Sequence, residues 1–299
     1  MKLVTYQAGK GGGEEPRVGV LSGDRVIDVA PDMVALLTAG ERGLREAEAA
    51  AGRGDRVLAL ADVRLRAPIL RPGKVLALAG NYRAHRNEGG SVLADSPLPE
   101  VFCKPVTSVI GPDEAIRLPG PPIVAVDYEG ELGVVIGRTC SRVSEADALS
   151  YVAGYLCLND VSGRKLDPGF ERPPELAARA KFFDWLIGKW CDTFNPIGPW
   201  LVTADEVPDP MALTLVTRVN GEERQRTSTG EMIHSIVRTI AWCSSLMTLE
   251  PGDVIATGTP AGVGSASGRF LKEGDVVEVE IDGLGTLRNT VAAAAAPTR

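Results

Sequence analysis

A β-rich α+β fold is what this chain predicts. Short apolar runs recur along most of its length, turn residues separate them, and segments with helical spacing are few. Residues 3–7 read as a strand, followed by a Gly-rich turn over 9–13. Residues 17–21 and 25–28 flank Ser22-Gly23-Asp24, a hairpin signal. A helical run rich in Ala, Leu and Glu follows from Ala30-Pro31 through Ala51. Residues 65–74 hold Pro68, Pro72 and Gly73, and helix does not propagate easily through such a stretch, so they read as a linker. At 299 residues the chain exceeds the usual single-domain size. The expected division is a small N-terminal β-rich domain over 1–70 and a larger domain over 71–299. Beyond the linker, strand-like runs cover 75–79, 123–126, 131–136, 151–158, 213–219, 254–257 and 276–281. Asn220-Gly221, Pro251-Gly252-Asp253, Glu273-Gly274-Asp275 and Asp282-Gly283 punctuate them. The clearest helix spans 232–246, with Ile233, Ile236, Val237, Ile240 and Ala241 at helical spacing.

Composition narrows the function. With 44% hydrophobic residues there is material for a full core, and a net charge of -7 without any basic cluster argues against a nucleic-acid partner. The alanine-rich stretches at 47–51 and 292–296 are too short to span a bilayer. Residues 1–6 lack the apolar core and cleavage site of a signal peptide. Five scattered cysteines, with no CxxC pair and an odd total, are neither a disulfide framework nor a zinc knuckle. They read as packing residues of a soluble, cytoplasmic protein. There is no G-x-S-x-G, no phosphate-binding Gly-rich loop and no H-E-x-x-H, so serine hydrolase, nucleotide-dependent and zincin readings lack support.

The informative stretch is Asp127-Tyr128-Glu129-Gly130-Glu131, which leads into Leu132-Gly133-Val134-Val135-Ile136. As one strand it would stack residues 127, 129 and 131 on one face, where like charges repel. A hard divalent cation relieves that repulsion, because Mg²⁺, Mn²⁺ and Ca²⁺ prefer carboxylate oxygens. An exposed acidic strand edge would have the same spacing. Asp160, at the end of another apolar run, is placed to complete such a site, although Asn159-Asp160 also suits a simple turn. Only two histidines exist. If the segment around His85 is helical, Glu88 lies three residues on and beside the imidazole, where it would fix the tautomer and raise the basicity of a general base. The glycines at 80 and 89–90 would let such a segment move as a lid; a surface His–Glu pair would have the same spacing. His234, within the 232–246 pattern, reads as structural or surface.

Taken in order, these motifs resemble those of the fumarylacetoacetate hydrolase superfamily. The resemblance covers about residues 70–291, with residues 1–70 similar to the small domain that precedes it in many bacterial members. It rests on Gly80-Asn81-Tyr82 with His85 and Glu88, Phe102-Cys103-Lys104-Pro105, Val126-Asp127-Tyr128-Glu129 with Glu131-Leu132, and Asn159-Asp160-Val161-Ser162. It continues through Gly188-Lys189 with Asp192-Thr193-Phe194, Pro196-Ile197-Gly198-Pro199, and Thr257-Gly258-Thr259-Pro260-Ala261-Gly262-Val263-Gly264. The resemblance implies a mixed β-roll catalytic domain, commonly homodimeric, with Mg²⁺ or Mn²⁺ (Ca²⁺ being a further option) on Glu129, Glu131 and Asp160. It assigns His85 and Glu88 to a catalytic dyad and Lys189 to the active-site lysine. Lys104, Arg164, Gly258 and Thr259 fall at substrate-side positions. Asp127 becomes a neighbour of the metal rather than a ligand. The reaction expected is hydrolysis of a C–C bond in an acylpyruvate-like 2,4-dioxo acid, through a metal-stabilised pyruvate enolate, in the catabolism of aromatic compounds or sugar acids. The same electron sink serves a decarboxylase, or an isomerase or hydratase of a 2-oxo or 2-hydroxydienoate diacid. A non-catalytic metal-binding relative is the alternative of another class. The chain departs from the family after Ser162, where Gly163-Arg164-Lys165-Leu166-Asp167 keeps the arginine but sets Asp167 at the usual glutamine position, followed by a segment (168–183) rich in charge and proline.

Overall fold

The computed structural model describes residues 1–9, 14–88, 94–171 and 173–294. Most of the turn expected over 9–13, the glycines at 89 and 90, and the end of the alanine tract lie outside them.

The chain opens with an antiparallel meander: β1 (Lys2–Ala8), β2 (Arg17–Ser22) and β3 (Arg25–Ala30), the last two joined across Gly23. The helical run expected through Ala51 is two helices, α1 (Met33–Thr38) and α2 (Gly40–Arg53). Asp32 caps α1 by accepting from the Ala35 amide at 2.7 Å. Gly40, at φ 60°, supplies the left-handed residue that breaks the run. β4 (Val57–Ala59) and β5 (Val63–Arg66) follow. The stretch expected as a linker thus begins as a strand, and β5 pairs with β1.

The larger part of the chain runs through β6 (Val75–Leu78), α3 (Arg83–Arg86), β7 (Val101–Lys104), β8 (Val109–Ile110) and β9 (Ile116–Arg117). Next come β10 (Ile123–Asp127), β11 (Gly130–Ile136), β12 (Val152–Asn159), β13 (Ser162–Leu166), α4 (Ala177–Ile187) and β14 (Asn195–Thr203). The rest is β15 (Thr214–Val219), β16 (Glu222–Ser228), α5 (Ile236–Leu246), β17 (Val254–Ala256), α6 (Gly264–Ser267), β18 (Val276–Ile281) and β19 (Gly285–Ala292).

These strands form a large mixed sheet in the order β4-β3-β2-β1-β14-β12-β11-β17-β6-β7, a five-stranded sheet in the order β16-β15-β18-β19-β9, and the pair β10-β13. The N-terminal seventy residues extend the large sheet through the pairing of β1 with β14. Most pairings are antiparallel, while β17–β6, β14–β8 and β19–β9 are parallel. The architecture is α+β, β-rich and mixed. Among the described residues no helix is long and apolar enough to cross a membrane.

The core explains why β11 is apolar throughout. Leu132, Val134 and Ile136 face one cluster, with Leu215 and Ile281 of the second sheet and Ile236, Ile240 and Cys243 of α5. Val135, pointing the other way, joins Met33, Leu36 and Leu37 of α1. A strand covered on both faces needs no polar alternation. Two further elements differ from their sequence patterns. Helix α5 starts at Ile236 rather than 232, because the backbone of Ile233 and His234 is drawn to Asn81: the two amides donate to its main-chain oxygen and its Oδ1, both at 2.8 Å. Strand β14 hides behind Pro196 and Pro199, which sit near a register irregularity in its ladder with β12.

Candidate active site

The site lies at one end of the large sheet. The last pair of the β11–β12 ladder, Gly130 opposite Asn159, sets Glu129 and Glu131 on either side of one residue and Asp160 just past the other. The Asp160 amide donates to the Glu129 carbonyl at 2.8 Å, and the Glu129 amide to Asn159 Oδ1 at 2.9 Å. All three carboxylates are buried, and each offers an oxygen within 4.8 Å of the others. The continuous strand that would carry residues 127, 129 and 131 together is interrupted at Tyr128-Glu129. Asp127 is turned instead toward the amides of Gly264 and Ser265 (2.6 and 2.9 Å) and Arg164 Nε (2.8 Å).

Three cations answer these acids. Lys189, directly after α4, donates to Glu129 at 2.8 Å and Asp160 at 2.7 Å. Lys104, at the end of β7, bonds Asp160 and also donates to the carbonyls of Phe194 (2.8 Å) and Val161 (3.2 Å). Arg164 on β13 links Asp127 to Glu129. Among the described residues Asp127, Glu129, Glu131 and Asp160 therefore face Lys104, Arg164 and Lys189, one positive charge short of balance. Glu131 is the acid left over. Burial, then the charges of Asp160 and Glu129, push its carboxyl well above the usual range. Burial would raise Glu129 too, but Lys189, Arg164 and His85 outweigh it and hold that carboxyl well below. Burial pushes Lys104 down, whereas in Lys189 the same penalty is overcome by Asp160 and Glu129, which raise it. Glu131 Oε1 is buried with no hydrogen-bond partner among the described residues. An all-oxygen donor set, an orphaned carboxylate oxygen and a missing positive charge together fit a hard divalent cation.

The loop after β17 connects this cluster to the imidazole. The Gly258 amide donates to Glu131 Oε2 at 2.7 Å, Thr259 Oγ1 donates to the Gly130 carbonyl at 3.0 Å, and the Gly262 amide donates to Glu88 Oε1. His85 lies on α3, with Nδ1 2.7 Å from Glu88 Oε2. Two residues given no role from sequence fasten the loop. Asn81 Nδ2 donates to the carbonyls of Thr257 (2.7 Å) and His234 (3.0 Å). Gln225, from the second sheet, accepts from the Gly130 amide at 3.0 Å and donates to Thr259 Oγ1 at 2.8 Å and the Pro260 carbonyl at 2.9 Å. Asn81 carries a signal in the Gly80-Asn81-Tyr82 motif, whereas Gln225 carries none in the sequence. His234 is buried beside Asn81, and burial followed by Arg238 lowers its pKa. Asp167 is exposed and accepts from the Gly169 amide at 3.0 Å. Gly258 has φ 95°, and a Cβ there would stand 2.6 Å from Asn81 Cβ. Gly258→Ala is therefore expected to strain the loop by about 1–3 kcal/mol and to weaken divalent-metal affinity, read by metal titration of the purified variant.

The sequence profile of the fumarylacetoacetate (FAA) hydrolase C-terminal domain matches residues 74–292. The chain belongs to that family. The match spans the carboxylate cluster, the His85–Glu88 pair, Lys189 and the 257–262 loop. Oxaloacetate tautomerase fahd2, mitochondrial, of Xenopus laevis is 37% identical over 302 residues, covering 97% of this chain and 90% of that protein. The crystal structure of 5-carboxymethyl-2-hydroxymuconate delta-isomerase from Mycobacterium smegmatis aligns with a TM-score of 0.75 at 37% identity, over 98% of this chain and 100% of the other. Maleylpyruvate hydrolase from Sphingobium sp. SYK-6, in complex with manganese(II) and pyruvate, aligns with a TM-score of 0.79 at 32% identity, over 99% and 100%. The family is one of enzymes, and hydrolase and isomerase members both share this fold.

Proposed function

We propose that this enzyme hydrolyses a C–C bond in an acylpyruvate-like 2,4-dioxo acid, with Glu129, Glu131 and Asp160 holding Mg²⁺ or Mn²⁺. The observation that carries this reading is the His85–Glu88 pair, tied through Gly262 to the same loop that hydrogen-bonds Glu131. The bound cation supplies a Lewis acid for the adjacent carboxylate and 2-oxo groups of the substrate. The chain's own residues do the rest. Glu88 accepts from His85 Nδ1–H, which leaves Nε2 as the base and steadies the imidazolium once it forms. His85 takes a proton from water, whose oxygen bonds to the C4 carbonyl carbon. The C3–C4 bond breaks, its electron pair goes to C3, and the proton held by His85 passes to C3. The products are a carboxylic acid and pyruvate. Lys189 balances charge that builds on the substrate, and the amides and hydroxyl of Gly258 and Thr259 shape the substrate's side of the pocket. The manganese and pyruvate bound by the maleylpyruvate hydrolase are what this chemistry requires of a relative.

Lys104 acts through Asp160: its ammonium is wholly buried and its bonds go to Asp160 and two carbonyls. Lys104→Met is expected to destabilise the metal-free protein by roughly 3–5 kcal/mol, with Mn²⁺ recovering part of the loss in urea unfolding.

The tautomerase and isomerase relatives favour a second reading, in which His85 moves a proton on C3 and no water attacks. Acetylpyruvate and oxaloacetate, supplied separately with Mg²⁺ or Mn²⁺, distinguish the reactions by NMR. Acetate plus pyruvate from the first supports hydrolysis. Carbon dioxide plus pyruvate from the second, or enol–keto exchange alone, would replace it.

A further inference from the structure

A cleft of 780 Å³ runs beside the site, and the elements that wall it are those that deliver the proposed machinery. Ala79 leads from β6 toward α3 and His85. Phe102 and Cys103 precede Lys104 on β7. Phe182 and Trp185 lie on α4, one turn and more ahead of Lys189, and Trp190 follows it. The inner wall is an edge-to-face pair, Phe102 and Trp185, with centroids 4.9 Å apart at 71°. Lys189 Nζ lies 5.3 Å from the Phe102 ring and 6.0 Å from the Trp185 ring. The same nitrogen bonds Glu129 and Asp160. One lysine side chain thus separates the aromatic wall from the metal carboxylates.

The outer wall is exposed, Phe182 at 58% and Trp190 at 44%. Such a concentration of aromatic surface, one lysine side chain away from the carboxylate cluster, marks it for a ligand. Glu100 is the one charged residue among the described lining, and it pairs with Arg86. Among the described lining residues a carboxylate placed against the aromatic wall would meet no free cation. The polar alternative is a neighbouring cleft of 460 Å³ that shares Trp185 and carries Arg164, Lys165 and Lys181 beside Asp184.

We propose that the aromatic cleft receives the distal acyl group of the substrate, and that this group is an aromatic ring rather than a carboxylate. The assignment rests on the acylpyruvate reading above. The substrate class is then an aroylpyruvate, with the 2-oxo acid end on the carboxylate cluster and the ring edge-on to Phe102 and Trp185.

The test uses the Mn²⁺-loaded enzyme with three 2,4-dioxo acids, whose C4 substituent is phenyl, methyl or a carboxylate-bearing chain. Pyruvate release gives kcat/KM, and quenching of tryptophan fluorescence gives binding. The expected order is phenyl over methyl by roughly tenfold or more, with the carboxylate-bearing chain last. Phe182→Glu, at an exposed position that tolerates charge, is expected to bring the phenyl-to-methyl ratio toward one. Because the ratio is internal to each preparation, a partly folded variant does not obscure it. Cleavage of all three with a flat ratio, or preference for the carboxylate, overturns the cleft assignment and leaves hydrolysis standing. Phenyl-selective binding without pyruvate release leaves the cleft standing and overturns hydrolysis. If Phe182→Glu keeps the ratio but changes the sedimentation coefficient, the cleft belongs to a second copy of the chain and the proposal falls.

Discussion

Replacing His85 with alanine is expected to lower kcat by roughly 10²–10⁴-fold while Mn²⁺ still binds. Among the described residues the imidazole is hydrogen-bonded to Glu88 at 2.7 Å and not to the three carboxylates. The loss should therefore appear in kcat and leave the metal titration almost unmoved. Glu88→Gln is expected to fall between the two. An amide still fills the space and can accept from the Gly262 amide, but it does not stabilise the imidazolium. Steady-state kinetics beside a Mn²⁺ titration of each variant checks both. Full activity in His85→Ala would remove the base from the mechanism.

The second large effect is expected at Glu131. Glu131→Gln keeps the side-chain volume and an oxygen for the Gly258 amide, but it removes the carboxylate that has no cation of its own. Loss of the Lewis acid is worth several kcal/mol of transition-state stabilisation, so activity should fall by roughly 10³-fold or more. Stability should move the other way in the metal-free protein. Glu131 has its folded pKa raised, first by burial and then by Asp160 and Glu129. Its contribution to stability is therefore full below the ordinary carboxylate range and is lost as pH rises toward the raised value. Metal-free Glu131→Gln escapes that loss and should melt above the metal-free wild type at neutral pH. Saturating Mn²⁺ should reverse the order, because the ion binds the ionised wild-type group and stabilises the folded state by mass action. Thermal melts at acid and neutral pH, with metal and with chelator, measure each arm.

Much of this site was readable before any fold was available, for a reason that individual residues make clear. Glu129, Glu131 and Asp160 sit at the edges of apolar runs, and a buried strand that ends in acids needs an explanation that a surface strand does not. His85 and Glu88 are three apart, so a single helical turn brings them together. The distances in sequence were harder. Lys104 and Lys189 meet at Asp160 from β7 and from the end of α4, and only the order of strands in the sheet decides that they share it. Gln225 reaches the Gly130 amide from the other sheet, a contact 95 residues away that no local pattern encodes. Helix α4 was hidden for a different reason. Its residues Phe182, Phe183 and Trp185 do not trace one apolar stripe, because two of the rings are exposed and the third turns inward to Phe102. The helix expected over 232–246 lost its first turn to Asn81, a tertiary contact that overrode local periodicity.

Three buried carboxylates acting as one divalent-metal site are tested most plainly by direct titration of Mn²⁺, followed by the disappearance of the free-ion EPR signal. The wild-type chain should take up about one ion per chain, with affinity falling as pH is lowered, because protons compete with the ion for the carboxylates, Glu131 above all, whose pKa burial raises. Glu131→Gln should lose tight uptake. Equal binding by wild type and Glu131→Gln, or no stoichiometric binding by the wild type at all, would contradict the account.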